Sequence, residues 1–285
     1  MASSRNLRSW LRNAIAAPPS GSPSPSPFRY AYLGRDRGLV QLHNGSYLFI
    51  DTRDVSVAPS LIIYGKWEWW IEAALLRLVR PGQVVVDVGA HFGYYTVVLA
   101  HAVGAQGRVF AFEANPHLAD LLSTSMGVNT VGAWVTVTNA AVIDREEMVA
   151  FRVDPRLSGG GHLAHPNDGP TLDSYSVKGM TLSAALTGVE RIDVLRMDIE
   201  GCEPLALLGA EALIRNSPDL SIVCEWDVGM MSDRYDVREL VRWLASMGFA
   251  FWELETDSTL RAADPEALLA LPHCDVVISR QDPRG

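Results

Sequence analysis

A doubly wound α/β fold with a mostly parallel, seven-stranded, Rossmann-like sheet and an N-terminal β-hairpin and helix extension is predicted from three observations. From Pro81 onward short apolar runs alternate with helix-compatible connections, as strand–helix–strand units require. The first run, VVVDVGAHFGYYT (Val84 to Thr96), stops at an acid and two glycines. Glycines at such a strand end let backbone approach a bound group. The second run ends on Glu113, 24 residues after Gly89, where an acid can accept hydrogen bonds from ribose hydroxyls.

Residues 1–27 hold Arg5, Arg8 and Arg12 and no acid. Leu7, Trp10, Leu11, Ala14 and Ile15 recur at helical spacing; a flexible basic tail is expected here, with a short amphipathic helix that contacts a membrane surface or a partner as the alternative. APPSGSPSPSP (Ala17 to Pro27) reads as a flexible linker. Residues 28–80 form a cap. Its runs AYLGRDRGLVQL and SYLFIDTRD flank the turn signal His43-Asn44-Gly45, predicting a β-hairpin. GKWEWWIEAALLRLVRPG then places Trp67, Trp70, Ile71, Ala74, Leu75 and Leu78 on one helical face, with Glu68 and Glu72 pointing elsewhere and Pro81-Gly82 as the stop.

Residues 81–282 are the predicted sheet domain. Its strands are Val84 to Val88, Arg108 to Glu113, Trp134 to Val142, Ile192 to Asp198, Leu220 to Glu225, Phe249 to Glu255 and Asp275 to Ser279. Helices are predicted over Tyr94 to Val103, His117 to Met126 and Pro204 to Arg215. The interval at about 145–182, with the strand-like EEMVAFRVD and the glycine-rich RLSGGGHLAHPNDGP, is expected to be a long functional loop that meets the acceptor.

Composition excludes several classes. The chain of 285 residues is 48% hydrophobic, enough for a full core, yet no stretch reaches the roughly 18 apolar residues of a membrane span. The N-terminus lacks the apolar core of a secretory signal, and a cytoplasmic location is expected. Cys202, Cys224 and Cys274 show no CxxC spacing and are expected to be reduced thiols. With 24 Lys+Arg against 33 Asp+Glu, no nucleic-acid partner is expected, and a small-molecule or saccharide acceptor fits better. The spacing Gly89-x-x-x-Gly93 is not GxGxxG, so the pyrophosphate turn of a dinucleotide site is missing and an adenosyl ligand without pyrophosphate is favoured.

DVGAHFGYYT with FAFEANP, DVLRMDIEGCE and IVCEW, and with DTRD and GKWE upstream, resembles the FkbM family of S-adenosylmethionine-dependent O-methyltransferases. The resemblance implies a class I methyltransferase sheet. It implies Asp87, Gly89 and Gly93 around the methionine moiety, Glu113 on the ribose and Asn139 with Ala140 at the adenine, with Ala90, Ala114 and Asp198 completing the cofactor set. Three residues depart from the family pattern: His91 where Asn is common, Arg196 in place of a usual Lys, and Ser183 in place of a usual Asp.

Methyl transfer from a sulfonium is an in-line displacement that gains most from holding the acceptor oxygen in place. Strand alternation in RMDIEG predicts Arg196, Asp198 and Glu200 on one side, with Glu225 closing the neighbouring strand. Asp198, Glu200 and Glu225 are therefore candidates for general base, acceptor ligand, or oxygen ligands of a divalent cation such as Mg. His162 is the candidate catalytic histidine of the glycine-rich loop, with His165 beside it and Lys66 and Glu68 as weaker candidates. The leading reading is an O-methyltransferase acting on a hydroxyl of a sugar or polyketide-like natural product. The alternatives are an NAD-type oxidoreductase on a similar sheet and a non-catalytic module that binds an adenosyl ligand.

Overall fold

The computed structural model describes residues 30–169 and 172–284, so the tail predicted over residues 1–27 lies outside the described residues. The described chain opens with three antiparallel strands, β1 (Tyr30–Gly34), β2 (Arg37–Gln41) and β3 (Tyr47–Asp51), in place of the single hairpin expected. The first run is itself a hairpin, because Arg35 and Asp36 both adopt left-handed backbone at φ 52 and 59. Next come α1 (Ala58–Tyr64), which periodicity did not show, and α2 (Trp69–Leu78). Trp70, Ile71, Ala74 and Leu75 are buried as the spacing predicts. Glu72 is not turned outward as expected. It is 6% exposed, lies 3.0 Å from His43 Nε2, and accepts the Tyr94 hydroxyl.

The central sheet is formed by β4 (Val84–Val88), β5 (Arg108–Glu113), β6 (Val135–Asn139), β11 (Val194–Met197), β12 (Ser221–Trp226), β13 (Ala250–Leu254), β14 (Leu260–Ala263) and β15 (Cys274–Ser279). Its order is β14-β13-β15-β12-β11-β4-β5-β6. Strands β6, β5, β4, β11 and β12 run parallel, and β15 runs antiparallel between β12 and β13. The eighth strand, β14, is an edge that pairs with β13 and was not predicted.

Alternation along these strands divides the core in two. Val85, Val109, Val194, Val223 and Val277 face α2, α3 (Tyr94–Val103) and α4 (Pro116–Val128). Val86, Leu195, Ile222, Val276 and Ile278 face the other way, toward α6 (Glu203–Gly209), α7 (Glu211–Asn216) and α9 (Val237–Ser246). The N-terminal sheet docks on α4, where Asn129 Oδ1 and Ser125 Oγ accept the β3 amides of Tyr47 and Phe49 at 2.8 and 2.9 Å. These bonds satisfy an otherwise open strand edge.

The interval expected to be one long loop carries most of a second sheet. β7 (Ala141–Val142), β8 (Glu147–Val153), β9 (His162–Leu163) and β10 (Asp173–Met180) form a second sheet in the order β7-β10-β8-β9. β8 falls within the strand-like EEMVAFRVD, and Phe151, Val153 and Val177 build a small core on one face of this sheet. The 3-10 turn Ser158–Gly160 lies between β8 and β9. Two short helices, α5 (Leu182–Ala185) and α8 (Val228–Ser232), complete the chain. Ser183 on α5 donates to Gly209 O at 2.8 Å, so this departure from the family pattern sits at a helix contact. Among the described residues no helix is long and apolar enough to cross a membrane.

Candidate active site

A cavity of about 820 Å³ opens at the carboxyl ends of β4, β5, β11 and β12, roofed by residues of the N-terminal cap and the second sheet. That position is where open parallel sheets hold ligands. The size lies within the roughly 300–1,000 Å³ of small-molecule sites.

At one end stand Gly89, Ala90, His91, Glu113, Ala114 and Ala140. The loop after β4 is fixed by the amides of Gly89 and Ala90, which both donate to Phe112 O at 2.9 and 3.0 Å. Glu113 is 6% exposed and accepts His91 N–H at 2.7 Å on one oxygen and Asn115 N–H at 2.8 Å on the other. Burial pushes its carboxyl up to about 7, against the pull of those two amides. Each oxygen keeps a lone pair for a further donor.

Of the expected cofactor residues, Gly89 lines the cavity and also packs β4, whereas Gly93, Asp87 and Asn139 stand behind the wall. A Cβ on Gly89 would lie 1.9 Å from Asp198 O, so the glycine serves close packing of β4 against the end of β11. A Cβ on Gly93 would meet Leu122 at 2.5 Å, on α4. Asp87 is fully buried, accepting from Thr96 at 2.6 Å and from Arg196 at 3.4 Å, and does not line the cavity. Asn139 also stays outside, donating to Glu113 O and Ala114 O at 2.8 and 3.0 Å. These side chains are taken up by the backbone that shapes the site.

At the other end Glu68, Asp198, Glu200 and Glu225 face the cavity. Asp198, Glu200 and Glu225 each offer an oxygen within 4.8 Å of the other two. Strand alternation does not bring them together, because β11 ends at Met197. Glu200 reaches the cluster through two left-handed residues, itself at φ 53 and Gly201 at φ 88. Buried Arg196 organises the floor: it donates to Asp198 Oδ2 at 2.7 Å and to Gly89 O at 2.9 Å, and stacks 4.4 Å over the Tyr95 ring. Burial opposes its charge, yet Asp198 and Asp87 hold its pKa above the ordinary value.

Burial, then the neighbouring acids, raises the carboxyls of Glu200 and Glu225 well above the ordinary range. Glu225 Oε2 is buried without a hydrogen-bond partner among the described residues. Glu68 is pushed up to about 8 by burial, with Asp275 and Asp198 adding to it. It sits at the N-cap of α2 without a side-chain cap bond, at φ 37, and its carboxylate accepts the Tyr95 hydroxyl at 3.2 Å. His91, Glu68 and Glu200 are all left-handed non-glycine residues that line the cavity. Strain of this kind gathers at functional sites.

His162 lines the cavity, but its Nδ1 lies 2.9 Å from Gly160 O and its Nε2 2.9 Å from Asp168 Oδ1. Both ring nitrogens therefore lie against oxygens of its own loop, which hold the ring in place. His165 and Lys66 do not line the cavity. Sequence reasoning missed His273, a lining residue 3.4 Å from both Glu225 and Asp227, because it stands alone before β15. Glu68, a weaker candidate from the sequence, also lines the cavity.

The match to known proteins decides the family. Residues 87–251 match the model of the methyltransferase FkbM domain. The chain belongs to the FkbM methyltransferase family. A search of curated proteins finds no match. Among solved structures it is similar to a SAM-dependent methyltransferase from Aquifex aeolicus (15% identity, TM-score 0.40, 74% of this chain and 88% of that one). It is also similar to a precorrin-6y C5,15-methyltransferase from Geobacter metallireducens (12%, 0.42, 76% and 89%) and to an O-methyltransferase from Bacillus cereus in complex with SAH (11%, 0.41, 74% and 78%).

The site fits the S-adenosylmethionine of an FkbM methyltransferase. Glu113 offers free acceptor lone pairs at the end of β5, and Ala114 and Ala140 leave a small-residue slot beside it. The acidic end suits a sulfonium.

Proposed function

We propose that this FkbM methyltransferase is a cytoplasmic O-methyltransferase acting on a hydroxyl of a sugar or polyketide-like natural product. The observation that carries the reading is the convergence of Glu68, Asp198, Glu200 and Glu225 on one end of a cavity whose other end presents Glu113. S-adenosylmethionine, when bound, supplies a methyl group on a positively charged sulfur. Glu113 holds the ribose hydroxyls, and the backbone of Gly89 and Ala90 borders the methionine moiety. Arg196 fixes Asp198, which orients the acceptor hydroxyl in line with the methyl group. Glu68 forms no ion pair among the described residues, and with a carboxyl near 8 it is the stronger proton acceptor.

The trio Asp198, Glu200 and Glu225 also fits a divalent cation, a reading favoured by the unpartnered Glu225 Oε2. There the carboxylates would hold the ion beside the acceptor oxygen and ease loss of its proton. Transfer of a labelled methyl group from S-adenosylmethionine to a panel of sugars and natural-product alcohols, with and without chelator, tests both parts. Label in an alcohol supports the reading, and loss of transfer with chelator, restored by magnesium, supports the cation. No transfer to any hydroxyl, with transfer to amines or thiols, would overturn it.

A further inference from the structure

Asp54 lies behind the cavity wall, 3% exposed, and does not line it. Its Oδ2 accepts the amides of Val57 and Ala58, both at 2.7 Å. Its Oδ1 accepts Ser56 N–H at 3.2 Å and the Ser56 hydroxyl, and from across the fold Ser158 N–H at 3.1 Å and the Ser158 hydroxyl at 2.9 Å. Further stitches join the same two segments: Gly159 N–H donates to Ser56 Oγ at 3.1 Å, and Val55 N–H to Arg156 O at 2.8 Å. Ser56 and Val57 on one side and Leu157, Ser158 and Gly159 on the other line the cavity.

A carboxylate so surrounded only accepts, which fixes the direction of every proton next to it. The Ser158 hydroxyl spends its proton on Asp54 and must therefore accept from His91 Nε2, 2.8 Å away. Burial lowers His91 to about 4, so the ring is neutral and carries its one proton on Nε2. Nδ1 keeps its lone pair. The same residue, at φ 53, donates its backbone N–H to Glu113 Oε2. Hydrogen bonds thus run from Asp54 through Ser158 to the His91 ring, and the backbone of that same residue holds Glu113.

We propose that Asp54 is a positioning residue for the cofactor: through Ser158 it sets His91 Nδ1 as a hydrogen-bond acceptor for the bound nucleoside, and it straps residues 156–159 across that end of the cavity. The inference rests on the S-adenosylmethionine reading and adds to it a residue that touches no cofactor. Neither the cap nor the second sheet supplies this arrangement alone, since Asp54 and Ser158 are 104 positions apart.

The test is binding of S-adenosylhomocysteine by calorimetry, which needs no acceptor, on the full chain. Ser158→Ala should weaken binding about 10-fold, the effect of one lost hydrogen bond in a coupled chain, while melting close to wild type. His91→Ala should weaken it at least as much. The double variant should bind no worse than His91→Ala alone, because Ser158 acts through the imidazole. S-adenosylhomocysteine should also slow amide exchange over residues 54–58 and 156–161 in the wild type, and less so in Ser158→Ala. If Ser158→Ala melts far lower, Ser158→Thr, which keeps the hydroxyl, must restore affinity, and its failure to do so overturns the proposal. Wild-type affinity in Ser158→Ala, or losses that simply add in the double variant, would also overturn it while leaving the cofactor reading intact. A wild type that binds no S-adenosylhomocysteine removes both.

Discussion

Gly89→Ala replaces one hydrogen atom by a methyl group, and the geometry forecasts a large effect. The left-handed backbone at φ +78 disfavours any residue with a Cβ by about 1–2 kcal/mol. The new Cβ would lie 1.9 Å from Asp198 O, where ordinary contact begins at 3.4 Å, so the ends of β4 and β11 must part by about 1.5 Å. Opening that gap strains two bonds that cross it, Asp198 N–H to Val88 O at 3.1 Å and Arg196 to Gly89 O at 2.9 Å. Overpacking of this kind costs about 1–3 kcal/mol. The expected loss is about 2–5 kcal/mol, a large fraction of the roughly 5–15 kcal/mol that holds a domain together. Urea unfolding followed by tryptophan fluorescence and far-ultraviolet circular dichroism reads it directly. Gly93→Ala should lose less, because its neighbour is the movable Leu122 side chain. A Gly89→Ala midpoint equal to wild type would refute the packing role.

The remaining predictions follow from the same floor and cluster. Arg196→Met leaves Asp87 and Asp198 without their shared guanidinium and should destabilise by about 3–5 kcal/mol in urea titrations; an unchanged midpoint would contradict the ion-pair account. Glu68 has a folded pKa raised from 4.5 to about 8, so its stabilising contribution is complete below about 4.5 and disappears as pH rises through about 8. Melting temperature should fall between about pH 4.5 and 8, and Glu68→Gln should flatten that slope. Turnover should move the other way, rising through about pH 8 as the base ionises, and Glu68→Gln should lower it about 100-fold or more and erase the rise. If a cation sits on the trio, Glu225→Gln should weaken manganese binding at least 10-fold in paramagnetic titrations, whereas equal binding by variant and wild type would leave the cluster without a metal role.

The sheet was legible because buried parallel strands write themselves as apolar runs: Val84–Val88 and Arg108–Glu113 are strands over those residues. β14 and β10 were not, since LRAA and DSYSVKGM carry exposed or one-sided faces with weak alternation. The candidate site was legible in residue type more than in role. Glu113, Asp198, Glu200 and Glu225 do line one cavity, but strand periodicity could not foresee the left-handed turn that delivers Glu200. Gly89 and Gly93 were noticed for their conformation, and the structure adds their packing against Asp198 and Leu122. Asp54, the last residue of DTRD, and Ser158 of the glycine-rich stretch gave no sign of each other, because their relation exists only after the second sheet folds against the cap. His273 illustrates the same limit: a single histidine in a loop becomes informative only when Glu225 and Asp227 come to lie beside it.

The most direct measurement of the central claim is a crystal structure of the protein with S-adenosylhomocysteine. The account predicts both ribose hydroxyls within hydrogen-bonding distance of Glu113, the adenine beside Ala114 and Ala140, and the sulfur facing the end lined by Glu68, Asp198, Glu200 and Glu225. A nucleoside bound in the reverse sense, with its ribose among those four acids, or a ligand outside this cavity, would contradict it.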